Sequence, residues 1–209
     1  MMNKWFGSLL VSVLMAGSAM AQSFEEGQDY RALSSDARTS TGDRIEVREF
    51  FSYACPGCNA FHPLVDRWSE TLDDDVELVR SPVVFRSSWE NLARAYQVAS
   101  ALEVTDTVHG AIFHAFHDRN QRLESRESLE AIFEEQDVDL EDVRAQWDGF
   151  AVDGAMRSAE RSASRHGVQR TPSMGVNGRY YIDTELAGSF ERMLEIVDYL
   201  VEKERQAGR

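Results

Sequence analysis

Between residues 45 and 51 the chain reads IEVREFF, a run of β-branched and aromatic residues that predicts a strand. The period then changes. Over about residues 55–71 Phe61, Leu64, Val65 and Trp68 recur at helical spacing, with Pro63 placed where it should kink a helix. Residues 76–85 predict a second strand, interrupted at Ser81-Pro82. Ser87 and Glu90 form a capping-box signature, and Trp89, Leu92, Ala93, Tyr96 and Ala99 make one helical stripe behind it. Further helices are predicted over about 105–118, 126–136, 140–148 and 150–166. Ser125 and Asp139 serve as N-caps and Gly167 as the stop. Ala151, Ala155, Ala159 and Ala163 give the last of these helices a small-residue stripe. Strand character returns over 173–182, SMGVNGRYYI, where Asn177-Gly178 is a strong hairpin signal. A final helix over 189–205 buries Phe190, Met193, Leu194, Val197, Leu200 and Val201. Both ends are α/β and the middle is helical. The order predicts one α/β domain, residues 22–85 and 168–209, interrupted by an all-helical insertion over 86–167.

The first 21 residues change the picture of where the chain works. Lys4 precedes an apolar run ending near Ala16, and Ala19-Met20-Ala21 is a small-x-small cleavage pattern. An export signal is expected, with a mature chain of 188 residues starting at Gln22. No cysteine lies near the cleavage point, which argues against a lipid anchor. The formal charge is −14, and removal of Lys4 takes it to −15. Nucleic acid is a poor partner for such a chain. Lys4 and Lys203 are the only lysines among 22 basic residues, a bias assigned to genomic composition rather than to an arginine patch.

Export implies an oxidising compartment, yet the chain holds only Cys55 and Cys58. A structural disulfide closing two intervening residues restrains little chain entropy. A zinc site needs four ligands. His62 lies one turn beyond Cys58, but no second cysteine pair exists, and His109, His114, His117 and His166 are distant in sequence and read as surface or packing residues. A redox dithiol at a strand-to-helix junction fits best. A thiol at a helix N-terminus faces free N–H groups and the positive end of the macrodipole, worth about 0.3–1 kcal/mol and up to about 2 when partly buried. Cys55 is expected to be exposed and nucleophilic, and Cys58, one turn deeper, to be the shielded resolving thiol. Pro56 suits the first helical position. Gly57 supplies no cation, so a strongly acidic thiol would need more local donors.

The segments FEEGQDYRAL, EFFSYACPGC, the helical block, RTPSMGVNGRYYI and the last helix together resemble, in order, the DsbA family of periplasmic thiol oxidases. The resemblance implies a thioredoxin-like fold with a helical insertion and Cys55 as nucleophile with Cys58 as its partner. It also implies Glu49 as a buried proton-moving acid and Pro172 as a cis-proline facing the dithiol. Pro56, Gly57 and Thr171 would meet substrate, Thr171 through its backbone. It implies no cofactor beyond the Cys55–Cys58 disulfide, and no metal. Its partners would be unfolded exported proteins with free thiols and a quinone-linked membrane protein of the DsbB type, and the chain would be monomeric. Two positions depart from the family pattern. Gly57 stands where histidine is usual, which should raise the Cys55 pKa and weaken the oxidant relative to the usual member. Thr171 stands where the typical oxidase has valine. The residues themselves leave open an isomerase or reductase of the same fold, or a non-catalytic export chaperone.

Overall fold

A computed structural model describes residues 23–208. The predicted export signal lies outside the described residues. Five strands form one sheet: β1 (Arg31–Ala32), β2 (Ile45–Phe51), β3 (Val76–Pro82), β4 (Ser173–Val176) and β5 (Tyr180–Asp183), in the order β1-β5-β4-β2-β3. Only β2 and β3 run parallel, and the connection between them is α1 (Pro56–Ser69). Every residue of β2 is buried, which is why IEVREFF lacks a polar-out alternation.

One core lies where α1 and α8 (Phe190–Gln206) pack on the sheet, through Val47, Phe61, Val65, Met193, Val197 and Leu200. Trp68 Nε1 donates to Asp198 Oδ1 at 2.8 Å and ties the two helices together. The second core belongs to the helical block: α2 (Glu90–Ala101), α3 (Thr105–His117), α4 (Arg126–Glu135), α5 (Leu140–Trp147) and α6 (Phe150–His166). Phe51, Tyr53 and Cys58 enter this second core from the α/β side. The end of β2 and the first turn of α1 therefore sit where the two cores meet. This is a thioredoxin fold interrupted by an all-helical insertion.

Most local expectations hold. Ser125 and Asp139 cap α4 and α5, and Gly167 ends α6 in the left-handed region with φ 63°. Others fail for visible reasons. Ser87 and Glu90 do not form a capping box: residues Ser87–Trp89 make a 3₁₀ turn whose i→i+3 bonds satisfy the leading N–H groups, and no side chain caps α2. Trp89 is only half-buried and packs on Phe85, with the Arg86 guanidinium over its ring. β3 stops at Pro82, leaving Val84 and Phe85 exposed in the following loop. Pro63 lies inside α1, as expected, and the helix runs on past it to Ser69. Of the alanine stripe on α6 only Ala159 is buried. Strand β1 and the short α7 (Thr184–Ala187) were not predicted, although Asp183 caps α7 by accepting from the N–H groups of Glu185 and Leu186.

The hairpin between β4 and β5 has positive φ at both Asn177 and Gly178, as a type I′ turn demands. A Cβ on Gly178 would stand 2.1 Å from the backbone oxygen of Ala37, whose N–H in turn donates to Gly178 O. Gly178→Ala therefore combines a left-handed non-glycine residue with a backbone overlap. It should lower stability by at least about 2 kcal/mol, a fall of roughly 4–8 °C in Tm. A melt unchanged within error would show that the segment around Ala37 moves freely.

Candidate active site

Cys55 is the N-cap of α1, with extended backbone (φ −94°, ψ 116°), and Pro56 takes the first helical position. Cys55 Sγ accepts a hydrogen bond from the Cys58 N–H at 3.4 Å, so the sulfur does the work an oxygen does in an ordinary cap. Its thiol proton points to Thr171 O at 3.3 Å. Both cysteines are free thiols; Cys55 is half-buried and Cys58 is fully buried. The Thr171–Pro172 peptide is cis and lies across from the dithiol. A Cβ placed on Gly57 would be 3.2 Å from Pro172 Cδ and 3.7 Å from Cys55 Sγ. Six predicted residues thus meet: Cys55, Pro56, Gly57, Cys58, Thr171 and Pro172. Beside them opens a cleft of about 570 Å³, walled by Cys55, Pro56, Phe85, Trp89, Phe116 and Thr171.

The two thiols differ in acidity. The hydrogen bond from the Cys58 thiol contributes most to lowering the Cys55 pKa to about 5, with further help from Thr171 and from the N–H groups of Cys58 and Gly57, against the opposing effect of burial. Burial pushes Cys58 well up, and its bond to Cys55 pushes the same way. The pair therefore holds one negative charge, on the accessible sulfur. No cation is needed for this, which answers how the thiol can be acidic with glycine at position 57.

Glu49 is 1% exposed in β2 and accepts from Arg80 Nε at 3.1 Å, making its contact there rather than with either sulfur. Burial raises its pKa, and the Arg80 charge pulls it back. A strand-end carboxylate on the solvent face, which the sequence alone allows at this position, is excluded by that burial. Sequence reasoning missed Arg80. It sits opposite Glu49 in the β2–β3 register and reaches on to Asp66 of α1. The available signal was a charge of each sign inside two strands that must pair in parallel.

The histidines stand away from the sulfurs but brace the site. His117 Nε2 lies 2.7 Å from Tyr53 O, two residues before Cys55. His109 Nδ1 is 2.8 Å from Tyr53 Oη, and burial holds its pKa well below the usual range. His62 stacks on Phe113, His114 pairs with Asp118, and His166 packs on Phe50. Among the described residues no three His, Cys, Asp or Glu side chains converge as a metal site.

The model of the DSBA-like thioredoxin domain matches residues 46–195. The thiol:disulfide interchange protein DsbA of Pseudomonas aeruginosa is 35% identical over 201 residues, spanning 96% of this chain and 95% of that protein. Its namesake from Pseudomonas syringae is 32% identical and spans 100% of this chain and 99% of that one. The crystal structure of Pseudomonas aeruginosa DsbA superposes with a TM-score of 0.84 at 36% identity, covering 88% of this chain and 96% of that chain. The Xylella fastidiosa oxidoreductase DsbA gives 0.81 at 30% identity, covering 87% and 98%. With its buried–exposed thiol pair carried on this fold, the chain belongs to the DsbA family of thiol:disulfide oxidoreductases.

Proposed function

We propose that the chain oxidises cysteine pairs in polypeptides exported to the periplasm, and that Cys55 is the sulfur they attack. The observation that carries this is the asymmetry of the pair: an accessible Cys55 with a pKa of about 5 beside a buried Cys58 pushed the other way. In the oxidised enzyme a client thiolate attacks Cys55 Sγ, the Cys55–Cys58 bond breaks, and the electron pair leaves on Cys58. Cys58 then takes up a proton, since its burial disfavours the thiolate. Glu49, with its pKa raised by burial, is the acid suited to supply that proton. The second client thiolate attacks the client sulfur of the mixed disulfide, and Cys55 leaves as a stable thiolate. The client is oxidised by two electrons and the enzyme reduced by two. A low leaving-group pKa favours this last step, both in rate and in equilibrium.

Thr171 and the cis Pro172 flank the position where the client sulfur must arrive, which suits an extended client segment held by the Thr171 backbone. Reoxidation belongs to a membrane partner of the DsbB type that passes the two electrons to a quinone. The Cys55–Cys58 couple is the only redox group this scheme requires, in a monomer.

The redox equilibrium against glutathione tests the direction of flow. A potential well above the glutathione poise supports the oxidase, whereas one near that of thioredoxin would assign the chain to reduction or reshuffling. Gly57→His refines the same measurement. The new side chain would start 3.7 Å from Cys55 Sγ, and Pro172 must yield a few tenths of an ångström to admit it. An imidazolium there favours the thiolate, hence the reduced form, so the potential should rise by about 30 mV for each 1.4 kcal/mol of added stabilisation. A fall in potential would mean that displacing Pro172 outweighs the charge.

A further inference from the structure

Arg38, Arg161 and Arg165 converge on a cavity of about 750 Å³ that shares no wall with the Cys55 cleft. It lies between the segment following β1 and the C-terminal half of α6. Its other walls are also mostly polar, Asp36, Ser40, Arg48 and Ser158 among them. We propose that this cavity binds a phosphate-bearing anion.

The chain carries 36 carboxylates and a net charge of −14, yet Arg38, Arg161 and Arg165 pair with none of them among the described residues. Arg161 and Arg165 are one helical turn apart, where like charges repel. The helix C-terminus favours Arg165, but that argument does not extend to Arg38, which is on another segment, or to Arg161 a turn earlier. Behind them Arg48 is 8% exposed, bonded to Glu46 Oε1 at 2.8 Å and to Ser40 Oγ at 3.1 Å. Glu46 is thereby balanced by Arg48 and cannot neutralise the other three. Asp36, also on the wall, faces Arg179 at 3.8 Å. Ser162 Oγ is sealed from solvent and has no hydrogen-bond partner.

Guanidinium forks match phosphate oxygens two at a time, and the hydroxyls of Ser35, Thr39 and Ser158 on the same wall can donate to the remainder. Three unbalanced charges exceed what a single carboxylate requires. The volume exceeds one phosphate and falls within the roughly 300–1,000 Å³ of small-molecule sites. The ligand is therefore an oligophosphate or a phosphate on a larger body. A soluble oligophosphate and the headgroup of an anionic phospholipid share this chemistry.

Calorimetric titration of tripolyphosphate into the mature chain at low ionic strength tests the site. One equivalent should bind, and Arg161→Ala/Arg165→Ala should weaken it at least about tenfold. Arg67→Ala/Arg122→Ala removes the same charge from two other exposed, unpaired arginines and should change little. Absence of heat, or equal weakening in both double variants, overturns the proposal. Sedimentation with phosphatidylglycerol vesicles, competed by tripolyphosphate, would identify a lipid headgroup as the source. Tripolyphosphate binding without vesicle sedimentation would identify a soluble one. Thiol exchange should stay at the parent rate in all variants, so failure here leaves the reading of the Cys55 site untouched.

Discussion

Replacing Cys55 with serine should reduce disulfide transfer to a model dithiol peptide to the uncatalysed background, a loss of at least about a thousandfold. The substitution is mild for the fold. Serine is among the preferred N-cap residues, and its oxygen can accept from the Cys58 N–H as Sγ now does at 3.4 Å. Loss of activity with an unchanged melt would therefore report chemistry, not unfolding. Cys58→Ser separates the two thiols. It keeps a hydroxyl donor beside Cys55, so the attacking sulfur stays acidic. It also removes the group that releases Cys55 from a stalled mixed disulfide. Added to clients whose cysteines are activated as mixed disulfides with a small aromatic thiol, that variant should attack the client sulfur, expel the small thiol, and yield long-lived covalent complexes through Cys55. Substantial turnover by the Cys55 variant, or adducts forming through Cys58 in that variant and none through Cys55 in Cys58→Ser, would invert the assignment of roles.

The parts of this molecule governed by short-range rules were legible in the sequence. Ser125, Asp139 and Gly167 act within one turn of chain, and each does what its residue type dictates. Asn177-Gly178 sets its own turn. The dithiol was legible for the same reason, because the cap, Pro56 and the one-turn spacing of Cys55 and Cys58 are local. What escaped was set by partners far along the chain. Strand β1 is two residues long and exists because Arg31 and Ala32 meet Tyr181 and Tyr180. The 3₁₀ turn at Ser87 displaced a capping box that local rules favoured. Glu49 could have faced either way until β3 placed Arg80 against it. The arginines of the α6 cavity were read as composition, since Arg38 lies far from Arg161 in sequence and only the fold brings them to one wall.

The same contrast separates what residue 57 could tell from what the site does. Losing a histidine argued for a less acidic Cys55. The structure places the Cys58 thiol and two backbone N–H groups on that sulfur instead, and these are supplied by the helix start whatever side chain stands at 57.

Titrating the reduced protein by thiolate absorbance should give a midpoint near pH 5, some three units or more below the ordinary thiol value of about 8.5. The consequence for stability has a definite sign. Cys55 has a lower pKa folded than unfolded, so the unfolded state binds the extra proton between those two values. The contribution to the reduced form is complete above about pH 8.5 and is lost as pH falls through about 5. Its size is smaller than the shift alone would suggest, because the sulfur is half exposed and screened by solvent. The disulfide form has no thiolate and lacks this dependence, while Glu49 and the histidines are present in both forms. Denaturant midpoints of the reduced and oxidised proteins, compared from pH 4 to 8, below the range in which unfolded Cys58 ionises and works the other way, should therefore diverge in favour of the reduced form as pH rises. By linkage the stabilised reduced form is what makes the disulfide oxidising. A midpoint near 8.5, or a stability difference flat across that range, would remove the thermodynamic basis for oxidation by Cys55 and leave a weak, reversible exchanger.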